Sequence, residues 1–222
     1  MSMSASAFVR ASLPPSPVRV LEIGAGDGAL ARELRRAGYD VVAIDPAPGG
    51  PDVLPVALDV FDAPSASFDA AVAVLSLHHV TPLRRSLARL KDLLRPGARL
   101  IVDEFDVDRF DERAADWWLE QRRRLRGGVE EKRPRQLVDE LRSELHSLRA
   151  ITTALRSQGF EVGSVRRNSY LYRWELDESL AALEEKLIAE QRLPQVGARF
   201  EAVLRADARL RRDQNREQRP PR

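Results

Sequence analysis

The sequence predicts an α/β fold: a mostly parallel sheet with helices on both faces, three layers in all. Three observations predict it. Residues 18–46 read as strand, glycine loop, helix, strand. Between residues 18 and 105, short apolar runs alternate with amphipathic stretches, the pattern of a parallel sheet built through helical crossovers. The runs themselves, such as FDAAVAVL and ARLIV, are apolar nearly throughout, as strands covered on both faces must be.

The opening unit carries the most information. Val18, Val20, Leu21 and Ile23 form a buried strand, and Gly24, Gly26 and Gly28 follow on alternate positions. Glycines there let the chain turn sharply and let a ligand approach main-chain N–H groups. In the next helix Leu30, Ala31, Leu34 and Ala37 share one face, opposite Arg32, Glu33, Arg35 and Arg36, and Gly38 stands ready to end it. Val41, Val42 and Ile44 make a second strand that ends in Asp45, 17 residues after Gly28. That is close to the usual place of the acid that accepts from a ribose hydroxyl pair. Glycine loop and ribose acid together point to a nucleoside-containing cofactor.

The spacing narrows the choice. A dinucleotide loop is G-x-G-x-x-G, with a helix N-terminus free for pyrophosphate. Here the third glycine comes one position earlier, and Glu22 precedes the loop. The run E-x-G-x-G-x-G resembles motif I of the class I S-adenosylmethionine-dependent methyltransferases. Asp45, Asp59, FDAAVAVLSLHHV and LLRPGARLIVDEF follow in that family's order, so the resemblance covers residues 18–105. The family has a Rossmann-like fold with a seven-stranded sheet in the order 3-2-1-4-5-7-6, and its cofactor is S-adenosyl-L-methionine (SAM). Carried onto this chain, the resemblance implies that Glu22, Gly24, Ala25, Gly26 and Gly28 shape the loop and Asp45 holds the ribose. Asp59 and the N–H of Val60 would meet the adenine, and Leu75 and Ser76 the methionine part. For Asp59 the competing reading is an acid that turns the chain in DVFDAP.

The remaining elements are read in order. Residues 1–17, rich in Ser, Ala and Pro, form a loose lead-in with a short helical turn around Phe8 and Val9. PAPGGPD is a breaker cluster, and VLPVALDV, 53–60, reads as a third strand with no helix before it. Either this edge of the sheet is pared down, or its strand is short and held by a loop. FDAAVAVLSLHHV supplies a central strand with Ser76, His78 and His79 just beyond its end, where open α/β sheets bind ligands. Residues 82–96 form an amphipathic helix led by Pro82, and 98–105 a fifth strand ending in Asp103 and Glu104.

Residues 106–145 are highly charged, with Trp117, Trp118 and a Gly127-Gly128 break. They read either as a solvated helix pair or as a helical lid with an apolar underside. Ser147 caps a helix running to Gly159. His146, at its start on the strand C-terminal rim, is the first candidate for a base, since a neutral imidazole can take a proton near pH 7. The competing reading is a histidine exposed to water. His79, Glu104 and Tyr172 come after it. FEVGSVRRNSYLYRWEL, 160–176, reads as one long strand with Tyr170, Tyr172 and Trp174 on one face, and 176–193 as a helix with Leu176, Leu180, Leu183 and Leu187 inward. VGARFEAVLRAD, 196–207, has either pattern, and the resemblance makes it the last, antiparallel strand.

The whole chain is thus expected to be one domain: a SAM-binding core over about 18–105, a lid over about 106–145, a second sheet half with an inserted helix over about 146–207, and a disordered basic tail over about 208–222. Its 222 residues, 43% apolar and 32% charged, suffice for one good core. No run of 18 apolar residues predicts a membrane span, no apolar leader marks secretion, and cysteine is absent, so a cytoplasmic location is expected. Two adjacent histidines without a third ligand make a poor metal site, so none is expected. A net charge of +2 and no dedicated nucleic-acid module leave a small-molecule methyl acceptor as partner, for a monomer or homodimer. Two rival functions stay open. A nicotinamide-dependent oxidoreductase is weakened by the loop spacing and the lack of a Tyr-x-x-x-Lys pair. A methyltransferase-like protein that binds SAM without turnover is allowed by the pared edge.

Overall fold

The computed structural model describes residues 3–127 and 132–206. The sheet is built from β1 (Arg19–Ile23), β2 (Asp40–Asp45), β3 (Leu54–Pro55), β4 (Phe68–Val74), β5 (Leu94–Phe105), β6 (Phe160–Val162), β7 (Arg166–Asn168) and β8 (Gly197–Leu204). Its order is β3-β2-β1-β4-β5-β8-β6, with β7 also paired to β8. The first five strands run parallel, and β8 lies antiparallel between β5 and β6. This is the expected order, with β8 in the place of the seventh strand and β7 as an addition.

Alternation along the central strands divides the core. Leu21 and Ile23 of β1 join Leu87 and Leu90 of α3 (Leu83–Leu93) and Ile151 and Leu155 of α6 (Leu148–Ser157) on one face. Val20, Val72 and Ile101 join Ala31 and Leu34 of α2 (Ala29–Arg36) on the other. Fully burying each such aliphatic side chain contributes about 1.5–3 kcal/mol, so both layers are held by the sheet they cover.

A third cluster sits beyond the carboxyl ends of the strands. The expected helix pair is present as α4 (Glu112–Arg126) and α5 (Pro134–Glu144); Gly127 ends α4 in the left-handed conformation, and Gly128 lies outside the described residues. Trp118, Leu137 and Leu141 from this pair pack with Phe105, Leu171 and Leu187. The Trp118 ring stacks on Trp174 at 4.0 Å, and its Nε1 donates to the Trp174 carbonyl at 2.8 Å.

Three expectations are corrected, and the third strand takes the short form the sequence left open. The lead-in is a capped helix, α1 (Ala5–Ser12): Ser4 Oγ accepts from Ala7 N, and Phe8 and Val9 are buried against the α2 face. The guanidinium groups of Arg166 and Arg199 lie 5.5 and 5.3 Å from the Phe8 ring, from segments far along the chain. The third strand shrinks to two residues. Pro55 has no N–H to offer, and the chain turns inward after it to bury Leu58 and Phe61.

The segment 160–176 is not one strand. After β7 the N–H groups of Tyr170, Leu171 and Tyr172 donate to the buried Glu184 carboxylate at 2.8, 3.0 and 2.9 Å. A carboxylate thus replaces a strand partner, and the chain leaves the sheet to enter the third cluster. The helix expected at 176–193 is shortened to α7 (Ala181–Ala189), because Asp177 accepts from Ser179 N and starts a tighter turn. Glu184 and Leu187 face inward, while Leu183 is exposed. The tail from 207 lies outside the described residues.

Candidate active site

The glycine loop joins β1 to α2, and all three of its glycines have positive φ: 68° at Gly24, 56° at Gly26 and 76° at Gly28. At Gly24 an added Cβ would run into Ser76 Cβ, so here glycine is required by space as well as by conformation. Asp45, at the end of the neighbouring strand, organises the loop. Its Oδ2 accepts from Gly26 N at 2.9 Å and its Oδ1 from Ala47 N at 2.8 Å, which leaves further lone pairs on both oxygens.

A cavity of about 350 Å³ opens at the carboxyl ends of β1, β2 and β4. Gly24, Asp45, Leu75 and Ser76 line it, together with Ala57, Leu58 and His79. Glu22 sits in the strand beneath the loop rather than on the wall. It is buried, and its Oε2 has no hydrogen-bond partner. Burial pushes its carboxyl up to about 7, against the pull of Arg35. Ala25, Gly26 and Gly28 shape the loop from outside the wall. Of the segment expected to meet the adenine, Ala57 and Leu58 line the cavity, while the neighbouring Asp59 pairs with Arg85 at 3.5 Å and Val60 is exposed.

Glu104 is the hub of the site. This fully buried carboxylate at the end of β5 accepts from Ser76 N at 2.9 Å, Leu77 N at 2.5 Å and Phe105 N at 3.2 Å, and it pairs with His78 Nδ1. It thereby pins the turn that follows β4, where Leu75 holds a left-handed φ of 54°. A non-glycine residue in that region costs on the order of 1–3 kcal/mol and persists only where its surroundings hold it. Ser76 Oγ donates to Ile23 O at 2.8 Å and ties the same turn to β1.

A second cavity of about 310 Å³ adjoins the first and shares Leu75 and His79 with it. Phe105, Tyr170, Trp174, Leu141 and Leu145 give it aromatic and aliphatic walls, with His78 between them. The Tyr170 ring stacks on Phe105 at 4.8 Å, and burial, then the Glu104 charge, raises the Tyr170 hydroxyl's pKa. His79 is held below the ordinary histidine range by burial and by His78.

The other base candidates fall outside both walls. His146 Nε2 donates to Val80 O at 3.0 Å, and its backbone N–H donates to His78 O at 2.9 Å, so it clasps the β4 turn. Tyr172 is placed by Glu184, with its hydroxyl pKa raised by burial. Sequence reasoning missed Ala57 and Leu58 as wall residues and the joint role of Glu104 and His78. The adjacency of β4 and β5 was a usable signal, since it places the end of one strand beside the turn after the other.

Among the described residues, no group of three or more His, Asp or Glu is arranged to hold a metal, and no helix is long and apolar enough to cross a membrane. The donor set fits SAM: a free-sided carboxylate for hydroxyl groups, left-handed glycines that keep side chains clear, and an apolar wall.

Comparison with known proteins points the same way. The family described as "Methyltransferase domain" matches residues 4–165. An uncharacterized methyltransferase of Mycobacterium tuberculosis is 38% identical over 98 residues, 40% of this chain and 40% of that one. A demethylmenaquinone methyltransferase of Beutenbergia cavernae is 37% identical over 99 residues, 40% of this chain and 41% of that one. The chain spans about 40% of the length of the curated relatives it matches. Among solved structures, a putative SAM-dependent methyltransferase of Listeria monocytogenes superposes with a TM-score of 0.60 at 17% identity, covering 89% of this chain and 95% of that one. The 1,6-didemethyltoxoflavin N1-methyltransferase of Burkholderia thailandensis, solved with its substrate and S-adenosylhomocysteine, does so at 0.55 and 20% identity, covering 91% and 77%. The fold is therefore that of the SAM-dependent methyltransferases, and the chain belongs to the methyltransferase-domain family.

Proposed function

We propose that this chain transfers a methyl group from SAM to a small-molecule acceptor by direct displacement, releasing S-adenosylhomocysteine. The observation that carries this reading is the joined pair of cavities: one walled by Gly24 and Asp45, the other by aromatic rings, with Leu75 and His79 common to both. SAM supplies a methyl group on a sulfonium already activated toward nucleophiles. The protein's task is then to hold two molecules in line and keep water out.

In this reading Asp45 accepts from the ribose hydroxyls while it braces the loop. Gly24 keeps side chains clear of the donor, and the turn at Leu75 and Ser76 presents backbone groups toward the methionine part. Residues 18–105 hold the donor. The α4–α5 pair, within 106–145, is the lid that closes the acceptor side, and the protein works in the cytoplasm as a monomer or homodimer. The absence of a membrane-crossing helix among the described residues supports that location.

Isothermal titration with SAM, S-adenosylhomocysteine and NAD tests the proposal. Micromolar binding of the first two, weakened at least 30-fold in Asp45→Ala, is the expected result. Folded protein that binds neither, or that binds NAD in their place, ends it.

A further inference from the structure

The second cavity is lined by two histidines, His78 and His79, and the donor site leaves the role of His78 unassigned. His78 is buried, yet its ring borders the second cavity. Among the described residues it is the histidine whose ring pairs with a carboxylate, Glu104, through Nδ1. Glu104 is turned toward donors on every side, with the N–H groups of Ser76, Leu77 and Phe105 also bonded to it. An acceptor in that setting takes a hydrogen from Nδ1, so the neutral ring carries its proton there and its lone pair on Nε2. Nε2 makes no hydrogen bond among the described residues.

The other charged groups of the cavity are engaged. Arg173 Nη1 donates to the buried Asp103 at 3.0 Å, and Glu175 pairs with Arg122 at 3.3 Å and Arg126 at 3.0 Å. His79 is shared with the first cavity and held below the ordinary histidine range by burial, and the remaining walls are aromatic or aliphatic. Phe105 and Tyr170 lie nearly parallel, at 20°, and the Trp174 ring is 6.1 Å from Phe105. A volume of about 310 Å³ is at the low end for a small-molecule site. Flat walls, small volume and an imidazole held by a buried carboxylate fit a compact aromatic molecule with an acidic hydroxyl.

We infer that the second cavity takes a phenol-type acceptor, with His78 Nε2 as the base that receives the hydroxyl proton and Glu104 as the residue that positions the ring. This deepens the methyl-transfer reading and rests on it for the final step. In that step the acceptor oxygen gains a bond to the methyl carbon as the carbon–sulfur bond breaks. The bonding pair stays on sulfur, and the hydroxyl proton passes to Nε2 and from there to water. A positioned general base contributes on the order of 10²–10⁴ in rate.

4-Nitrophenol tests the base and the cavity without turnover, because its phenolate absorbs at longer wavelength than the phenol. It is titrated into the whole protein, with and without S-adenosylhomocysteine, below the pH at which the free phenol ionises. Calorimetry reads binding and absorbance reads ionisation. The expected result is binding at least tenfold tighter than cyclohexanol, with the bound probe ionised. His78→Asn keeps an amide N–H for Glu104 but has nothing at Nε2, so it should retain binding within threefold and lose the phenolate band. His78→Gln serves if that variant does not fold. Trp174→Ala should weaken binding at least fivefold.

Equal binding of cyclohexanol, a bound probe that stays un-ionised, or a phenolate band that survives in the His78 variant would overturn the inference. So would binding unchanged by Trp174→Ala. The donor titration is independent: if 4-nitrophenol ionises against His78 but S-adenosylhomocysteine does not bind, the methyl-transfer reading fails and the phenol site with its base stands.

Discussion

The two cavities are built in different ways. The donor cavity is made of short, contiguous pieces: the glycine loop, the end of β2 and the turn after β4. Its shape depends on backbone conformation: Gly24 in the wall has a positive φ, and carboxylates that bind N–H groups fix the glycine loop and the turn after β4. The acceptor cavity is made of side chains from four distant stretches, with Leu75 and His78, Phe105, Leu141, and Tyr170 with Trp174 brought together. Backbone walls depend on conformation, so they tolerate few residue types at a few positions. Side-chain walls depend on packing, so they can be remodelled while the fold survives. In the proposed function, an unvarying methyl donor suits the first construction and a variable acceptor the second.

Glu104 joins the two, and removing it should have the largest effect. Glu104→Ala strands the buried donors of Ser76, Leu77, His78 and Phe105. A loss of about 3–5 kcal/mol in urea unfolding is expected. A loss below about 1 kcal/mol would mean the turn is held by something else, and the cavities are not joined through this carboxylate.

Gly24→Ala should act on the donor side alone. It meets Ser76 and carries a φ of 68°, so about 3 kcal/mol of stability and most S-adenosylhomocysteine binding should go. Gly26→Ala is its control. The φ is equally positive, but a Cβ there meets nothing within 4 Å, so only about 1–2 kcal/mol should be lost. Equal losses would show that conformation alone, and not contact with Ser76, sets the demand for glycine.

Trp174→Ala should act on the acceptor side. Loss of the stack on Trp118 and of the cavity wall should cost about 2 kcal/mol, while S-adenosylhomocysteine affinity stays within twofold. A large fall in cofactor affinity would erase the distinction between the two walls.

The smallest effect belongs to Glu22, which lies below both. Its carboxyl is raised from an ordinary 4.5 to about 7 by burial. The folded state therefore binds its proton more tightly than the unfolded chain does. Stability present below about pH 4.5 is lost as pH rises through 7. Glu22→Gln should raise stability by about 1–2 kcal/mol at pH 8 and leave it unchanged near pH 4.5 in calorimetric melts. A destabilised variant at pH 8 would mean that the ionised carboxylate is held by a partner.

These contrasts explain what was legible in the chain. Gly24, Asp45, Leu75 and Ser76 were readable because each occupies a set distance from a strand end, and parallel strands place their ends together. The wall residues Ala57 and Leu58 were not legible because Pro55 cuts β3 to two residues and the chain then turns to bury Leu58, with Asp59 beside Arg85. The tyrosine strand failed because its pattern is locally sound. Only Glu184, 14 residues after Tyr170, draws it out of the sheet. His146 was placed on the correct rim, but its ring bond to Val80 arises from a turn 66 residues away.

What the sequence determined by itself was therefore the parallel core and the glycine loop, because hydrophobic period and glycine spacing act over a few residues and need no distant partner; the strand order came with the family resemblance. Tertiary structure alone decided the acceptor cavity and the pairing of Glu104 with His78. Those depend on which side chains meet after the third cluster packs, and a buried polar group takes whichever partner that packing puts within reach.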